Sequence, residues 1–390
     1  MKTICILTAT RAEYGLLKPI IVKLQEEAAW NVRLVVTGAH LSPEFGLTYK
    51  EIEEDGISID EKIEMLVSAD TPAAVSKSMG LAMISFADYF ARVQPDMLLV
   101  LGDRYETLAV CMAAMNARIP IAHLYGGETT EGAVDESIRH AITKLSYLHF
   151  TSTESYRRRV IQLGEEPDRV FTVGAIGIEN ILHHPLMDKQ ALEESLAYRL
   201  EKPFALVTFH PVTLENDESA NQFQALLDVC ANFPDMQFIF TKANADTNGR
   251  IINEMIDAYV TAHEHAIAFT SLGMPRYLSA LKHCQLVVGN SSSGLLEAPS
   301  FGIPTVNIGD RQKGRLQAPS VITCEPTVEA ITEAMHTALS AAFREQAKQT
   351  VNPYGNGHTS NKIIAVLKEF LMDDRIDLKK RFYDVEGENQ

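Results

Sequence analysis

At 390 residues the chain exceeds the length that one hydrophobic core usually organises, so two domains are expected, each long enough to bury a core of its own. A charged fraction of 22% against a hydrophobic set of 46% excludes an extended disordered chain, and a formal charge of −16 without any basic block excludes a nucleic-acid-binding arm. Any anionic ligand would therefore need a locally basic pocket.

The five cysteines (Cys5, Cys111, Cys230, Cys284 and Cys324) are odd in number, scattered, and form no CxxC pair. That usage points to a reducing cytosol, and a cytoplasmic location is expected. The N-terminal run Ile4-Cys5-Ile6-Leu7 is short, ends in Arg11 and Glu13, and lacks a small-residue cleavage site, so it is read as a buried first strand and not a signal peptide. No apolar run approaches the roughly 18 residues a spanning helix needs, and no membrane partner is expected.

In chain order, runs apolar on both faces occur at Ile4 to Leu7, Leu34 to Val36, Met97 to Leu101, Ile119 to Ala122 and Leu148 to Thr151. They alternate with segments of helical period, which predicts a parallel sheet covered by helices. Each run is followed by a polar turn: Thr10-Arg11-Ala12-Glu13, Thr37-Gly38-Ala39-His40, Gly102-Asp103-Arg104, and Gly126-Gly127-Glu128. In open α/β sheets ligands sit at the carboxyl ends of the strands, where these turns fall.

A second set starts near Pro203. It comprises Phe204 to Thr208 leading into His210, Gln237 to Thr241 leading into Lys242-Ala243-Asn244, Ile267 to Phe269, Leu286 to Val288, and Thr305 to Ile308. The fold class expected is α/β, with two Rossmann-like doubly wound domains facing each other across a cleft. Their boundaries are set at 1–180 and 181–358, with a C-terminal helix within 359–390 packing back on the first domain. The stretch from Gly174 to Leu200 reads as linker, with its part near Gly174 to Pro185 as the hinge, and the tail from Asp373 onward as loosely held.

The chemistry concentrates in a few turns. Gly289-Asn290-Ser291-Ser292-Ser293-Gly294 directly follows Leu286-Val287-Val288, and reads as a strand end, a tight turn and the first turn of a helix. Unpaired N–H groups at a helix N-terminus, serine hydroxyls and close backbone approach at Gly suit a phosphate or diphosphate. Glu297, one helical turn on, would accept ribose hydroxyls. Ordinary serine capping is the plainer alternative, but three consecutive Ser exceed what a cap requires. The turn after the first strand lacks GxGxxG, so a dinucleotide cofactor is disfavoured and no cofactor is expected.

Arg11 is equally well read as a phosphate contact or a surface residue. Asp103 alone would suggest a helix cap; with Arg104 beside it the pair offers a candidate general base next to a phosphate clamp. His123, Tyr125 and Glu128 follow on the next strand and turn. Asp135 and Arg139 share a helix face at i, i+4 spacing, which in isolation would suggest a surface ion pair of little energetic weight. Acidic groups on three successive loops favour a functional reading for Asp103, Glu128 and Asp135. His210, held in its turn by Pro211, together with Lys242-Ala243-Asn244 and Gly309-Asp310-Arg311-Gln312-Lys313-Gly314-Arg315, supplies a basic, donor-rich wall. His183-His184 and His263-x-His265 lack convergent ligands and are read as solvated, and no metal is expected.

Taken in order, Thr10 to Gly15, Gly102-Asp103-Arg104-Tyr105-Glu106, Gly126-Gly127-Glu128, Asp135 to His140, His210-Pro211, Gly289 to Gly294 and Gly309 to Arg315 resemble the hydrolysing UDP-N-acetylglucosamine 2-epimerases of bacterial sialic acid synthesis nearly end to end. The resemblance implies the two-Rossmann architecture of GT-B glycosyltransferases, with UDP held by the second domain and the sugar by the first. It implies a homo-oligomer, dimer or tetramer, acting on a UDP-sugar. By this analogy Arg11, His210, Ser291, Ser292, Glu297 and Arg311 contact UDP, with Ser293 in the same run. Arg104 and His40 lie near the diphosphate and sugar, Arg139 lines the substrate site, and Asp103 and Asp135 match acids assigned to catalysis. Some relatives carry Glu two residues after the His of this segment, where this chain has Tyr125; Glu128 is read as its substitute.

The C2 proton of a 2-acetamido sugar is not acidic. Without a nicotinamide site, inversion there favours elimination of UDP to a 2-acetamidoglucal followed by addition of water, giving N-acetylmannosamine and UDP. The catalytic set expected is Asp103, Glu128, Asp135 and His210. The alternatives are a hydrolysing epimerase of UDP-N,N'-diacetylbacillosamine, a non-hydrolysing epimerase that readds UDP, a GT-B glycosyltransferase needing no acid cluster, and a non-catalytic UDP-sugar sensor.

Overall fold

Alternate residues of the central strands point into different apolar layers. In β1 (Lys2–Thr8), Ile4 and Ile6 join one buried cluster and Cys5 and Leu7 another; in β4 (Met97–Leu101), Met97, Leu99 and Leu101 join the first and Leu98 and Val100 the second. A period of two with both faces apolar requires cover on both sides, which the crossover helices provide. These relations come from a computed structural model, which describes residues 1–390 except 68, 70, 130–133, 211–217, 243–248, 374 and 386–390, and except the side chains of 218, 249 and 250.

The chain divides into two compact units, Met1–Asn180 with Tyr354–Gln390, and Ile181–Pro353. The first holds a parallel seven-stranded sheet of order β3-β2-β1-β4-β5-β6-β7. Besides β1 and β4 it contains β2 (Trp30–Thr37), β3 (Glu61–Ile63), β5 (Ile121–Leu124), β6 (Leu148–Thr151) and β7 (Val170–Thr172). The second unit holds a parallel six-stranded sheet of order β10-β9-β8-β11-β12-β13. Its strands are β8 (Phe204–Thr208), β9 (Gln237–Thr241), β10 (Ala266–Phe269), β11 (Leu286–Gly289), β12 (Thr305–Ile308) and β13 (Val321–Cys324). Both are doubly wound, as the alternation of runs predicts. No described helix is long and apolar enough to cross a membrane.

Three strands were not legible in the sequence: β3, β7 and β13. Each lies at a sheet edge, is short, and carries exposed or half-exposed positions, so the two-faced apolar signature is absent. The strand expected from Ile119 begins at Ile121, because Pro120 has no N–H to give to the ladder and Arg118 turns the chain with a φ of 58°.

The expected linker is largely folded structure. Helices occupy Ile176–His183 and Lys189–Leu196, and Leu192, Leu196 and Leu200 are buried in the second unit beside Phe204 and Leu206. Apolar residues at helical spacing give the helix Lys189–Leu196 a buried face. The helix Thr359–Met372 packs Ile363, Leu367 and Phe370 into the first unit's core with Leu17, Ile20 and Leu24 of the helix Arg11–Gln25. The tail beyond it is also anchored. Lys380 donates to the carbonyls of Lys144 and Ser146, the Tyr383 N–H donates to the Gly164 carbonyl, and the Asp377 N–H donates to the Tyr147 hydroxyl. Charge composition suggested a loose end; specific lysine and backbone contacts hold it down.

Candidate functional site

In both units the strand order reverses between two neighbours, β1 beside β4 and β8 beside β11. The chain leaves those neighbours in opposite directions, so their carboxyl ends open a crevice suited to a ligand. The sequence motifs fall there. Ala9 to Glu13 and Gly102 to Glu106 follow β1 and β4; Phe209-His210 and Asn290 to Ser293 follow β8 and β11.

In the first unit, Arg139 gathers the polar groups. On the helix Val134–Leu145 and only 3% exposed, its guanidinium pairs with Asp103, donates to Glu136 Oε2 at 2.8 Å and donates to the Glu128 carbonyl at 2.8 Å. A buried guanidinium needs such acceptors. The i, i+4 pair expected with Asp135 is thereby corrected: Arg139 uses Glu136 at i−3 and reaches across to Asp103, while Asp135 is exposed in the first helical turn. The Glu128 side chain accepts from the Ser152 hydroxyl at 2.9 Å. The Asp103 carboxylate and the Glu128 backbone carbonyl thus converge on one arginine, the Glu128 carboxylate faces Ser152, and Asp135 lies on the helix of Arg139 outside that network.

The preceding turn is fixed from below. His123 is fully buried and holds the Gly102 carbonyl through Nε2 at 2.8 Å; burial pushes its imidazole down to about 3, so it is neutral and Nε2–H is the donor. Tyr125, in the left-handed region at φ 68°, accepts the N–H of Ile176 at 2.9 Å on its hydroxyl and supports the start of the helix Ile176–His183. Neither projects as a site residue. Gly127, at φ 81°, has a structural reason to be Gly: a Cβ would stand 2.4 Å from the Tyr156 carbonyl oxygen.

His40 departs from its expected role as a substrate contact. It is fully buried, with Nε2 3.0 Å from the Thr8 hydroxyl and Nδ1 2.8 Å from the Thr48 hydroxyl, and burial lowers it to about 4. Both ring nitrogens are spent on holding the turns after β1 and β2. Arg11 stays 72% exposed in a salt bridge with Glu51 at 3.0 Å. Arg104 is clamped by Glu106, whose Oε1 accepts from its Nε at 3.3 Å and from a terminal nitrogen at 3.0 Å.

In the second unit the hub is Asn290, 1% exposed, which the sequence reading passed over for the serines beside it. Its Oδ1 accepts the His210 N–H at 2.7 Å, its Nδ2 donates to the His210 carbonyl at 2.8 Å, and its own carbonyl accepts from Arg311 at 3.1 Å and from Gln312 at 2.8 Å. One side chain and one carbonyl therefore lock together the turns after β8, β11 and β12. Asn290→Ala should lower stability by about 1–3 kcal/mol, because two buried backbone groups of His210 lose their partner. A urea midpoint equal to the parent's would show that Asn290 is dispensable there.

The serine turn differs from the expected helix start. Only one turn of helix, Ser293–Leu296, follows it, and Glu297 caps its end before Pro299 diverts the chain into a 3-10 turn. An extended helix dipole is therefore lacking. The Ser293 hydroxyl donates to Glu297 and accepts from the Tyr277 hydroxyl at 2.5 Å, so Ser293 is a spacer within the fold, and burial raises the Glu297 carboxyl above its ordinary value. Ser291 Oγ accepts the Ser293 N–H at 3.3 Å, and the Ser292 side chain is half-buried. Lys242 is paired with Asp257 at 2.6 Å, and His263 stacks on Tyr259 at 4.1 Å between ring centroids instead of standing in solvent. Pro211, Val212, Thr213, Ala243 and Asn244 lie outside the described residues.

A family model described as UDP-N-acetylglucosamine 2-epimerase matches residues 22–368. The chain belongs to this family. It is 43% identical over 98% of its length to a GDP/UDP-N,N'-diacetylbacillosamine 2-epimerase (hydrolyzing) of Campylobacter jejuni, of which the match covers 99%. It is 37% identical over 99% of its length to the polysialic acid biosynthesis protein P7 of Escherichia coli, with 98% of that protein covered. Among solved structures, the UDP-GlcNAc 2-epimerase from Neisseria meningitidis bound to UDP-GlcNAc superposes with a TM-score of 0.77 at 19% identity, covering 95% of this chain and 100% of that one. The last comparison bears on the fold, and it agrees with the two doubly wound units described above.

Proposed function

We propose that this family member is a hydrolysing 2-epimerase of a nucleoside-diphosphate 2-acetamido sugar. The observation that supports the reading is the Asp103 carboxylate at the switch point of the first sheet, paired with the buried Arg139, whose guanidinium also holds the backbone carbonyl of the turn that carries Glu128. A glycosyltransferase or a sugar sensor has no need of such acids.

In the proposed reaction Asp103 removes the C2 proton while the anomeric C1–O bond breaks and the nucleoside diphosphate departs, leaving a 2-acetamidoglycal. Water then adds its oxygen to C1, and a proton reaches C2 from the opposite face, with Glu128 and Asp135 as the acids serving this half. Charge grows on the departing diphosphate. Arg104, Arg11 and His210 are assigned to its stabilisation, with Ser291, Ser292 and Arg311 as further donors and Glu297 as the ribose acceptor. In this reading the second unit holds the nucleotide and the first carries the acids. The relative at 43% identity favours a 2,4-diacetamido sugar as substrate, and the family description favours UDP-N-acetylglucosamine as the second reading.

A proton NMR time course in deuterated water, run in parallel on UDP-N-acetylglucosamine and on UDP-N,N'-diacetylbacillosamine, tests both choices. The expected product is a free manno-configured sugar deuterated at C2, with UDP released and the diacetamido substrate turned over faster. A product that keeps UDP attached would move the assignment to a non-hydrolysing epimerase. Faster turnover of UDP-N-acetylglucosamine would select the second reading.

A further inference from the structure

Ser293 stands between a phenol and a carboxylate in the second unit. Its hydroxyl donates to Glu297 Oε2 and accepts from the Tyr277 hydroxyl at 2.5 Å. The carboxylate end sets the direction of this chain. An ionised carboxylate only accepts, so the serine proton goes to Glu297 and the serine oxygen is left to take the proton of Tyr277. Burial, and secondarily the charge of Glu297, push the phenol up, so it keeps that proton to give. The tyrosine is itself fixed, because its ring packs against the apolar cluster that holds Leu272, Leu281 and Val287. It belongs to the helix Gly273–His283, which precedes β11, whereas Ser293 and Glu297 follow that strand. Closing a turn would explain one hydrogen bond. It does not explain a half-buried carboxylate at the end of a single helical turn whose one donor among the described residues is a serine. Oε2 is spent on that hydroxyl, and Oε1 has no hydrogen-bond partner among the described residues.

We infer that Tyr277, acting through the Ser293 hydroxyl, is a positioning residue that holds Glu297 as an oriented acceptor for the ribose hydroxyls of a nucleoside diphosphate. With the Tyr277 proton on its oxygen, Ser293 has one proton and one place to send it, so Oε2 is pinned and Oε1 is left for the ligand. Without the phenol the serine hydroxyl turns freely, and ordering the carboxylate becomes a cost of binding. The same hydroxyl also favours the charged form: burial raises the Glu297 carboxyl, and the Ser293 hydrogen bond opposes the rise. A protonated acid would present a donor where a ribose hydroxyl needs an acceptor. The inference rests on the proposed assignment of Glu297 to the ribose and is independent of the chemistry at C2.

Calorimetric titration of the full-length protein with UDP and with its 2'-deoxy and 3'-deoxy analogues is the test. The parent should bind UDP at least about tenfold tighter than at least one analogue, as expected for a hydrogen bond to a charged group. Tyr277→Phe should cut that preference at least about threefold by weakening UDP, with affinity for the analogue within about twofold of the parent's, because only the hydroxyl contact is affected. Ser293→Ala should do the same. The double variant should match Ser293→Ala alone, since the phenol acts only through the serine. Equal weakening of UDP and the analogues would leave Tyr277 a purely structural role and overturn the inference. An unchanged preference in Tyr277→Phe, or additive losses in the double variant, would also overturn it. A parent that binds UDP no tighter than either analogue does so without any variant having to fold. A parent that shows the preference, loses it in Tyr277→Phe, and yet turns over no UDP-sugar would defeat the epimerase reading and leave this inference standing.

Discussion

Asp103→Asn is expected to lower kcat by about 10²–10⁴-fold, the range associated with loss of a general base, while nucleotide affinity stays within about threefold of the parent. The geometry makes this substitution informative. Asn keeps the size of Asp and can still accept from Arg139, and the guanidinium retains Glu136 and the Glu128 carbonyl, so it is not stranded as an unpaired buried charge. What disappears is the carboxylate's capacity to take a proton. If Asp103 instead only anchored Arg139, the loss would appear as lower stability and turnover would change little. The measurement is a pair: the urea midpoint, expected close to the parent's, and the rate of deuterium incorporation at C2, expected to fall together with kcat. Near-normal turnover would remove Asp103 from the chemistry.

The residues that the sequence made legible, and those it hid, differ for physical reasons. The central strands were visible because burial on both faces leaves an unbroken apolar run, and their turns were visible because polar residues had to follow. Edge strands such as β3 lack that signature. Asp103, Glu128 and His210 were singled out from residue type and position at strand ends and Arg139 from its helical spacing to Asp135, but the partner of Arg139 was missed, because spacing along one helix says nothing of an acid 36 residues away in another turn. His40 looked available in the sequence and is buried, since nothing in Gly38-Ala39-His40 reveals that threonines 8 and 48 engage both of its nitrogens. Asn290 was read as one letter of a serine motif, whereas its amide is matched to the backbone of His210, and a backbone acceptor leaves no trace in residue identity. Glu13 was read only as part of a polar turn; its capping-box contacts to the start of the helix Arg11–Gln25 were missed. Local chemistry is written in the sequence, while the choice of partner is made by packing.

Glu165→Ala is expected to destabilise the protein by about 3–5 kcal/mol at neutral pH, the range for breaking a buried ion pair. Glu165 is 1% exposed and receives Lys144 at 2.5 Å and Lys380 at 2.6 Å, with His149 Nε2 at 3.0 Å and Arg169 also near the cluster. Lys380 belongs to the C-terminal tail, so one carboxylate ties the tail to the helix Val134–Leu145 and to β6. Despite burial, which acts the other way, the hydrogen bond and charge of His149 and the hydrogen bonds of Lys144 and Lys380 hold Glu165 down at about 2 against an ordinary 4.5. A depressed folded-state value means that its contribution is fully present above pH 4.5 and is lost as the pH falls through about 2. A shift of this size corresponds to at most about 3 kcal/mol. Urea unfolding between pH 7 and pH 2 should therefore show a parent whose stability declines steeply in acid and a Glu165→Ala variant that starts lower and lacks that part of the decline. Lys380→Ala should cost less, since Lys144 and His149 still face the carboxylate, yet it should speed proteolysis after residue 374, because the tail loses the contacts made through that lysine. Parallel acid profiles for the parent and Glu165→Ala would show that the ion cluster does not govern acid stability, and equal proteolysis of the parent and Lys380→Ala would show that the tail is held by its backbone contacts alone.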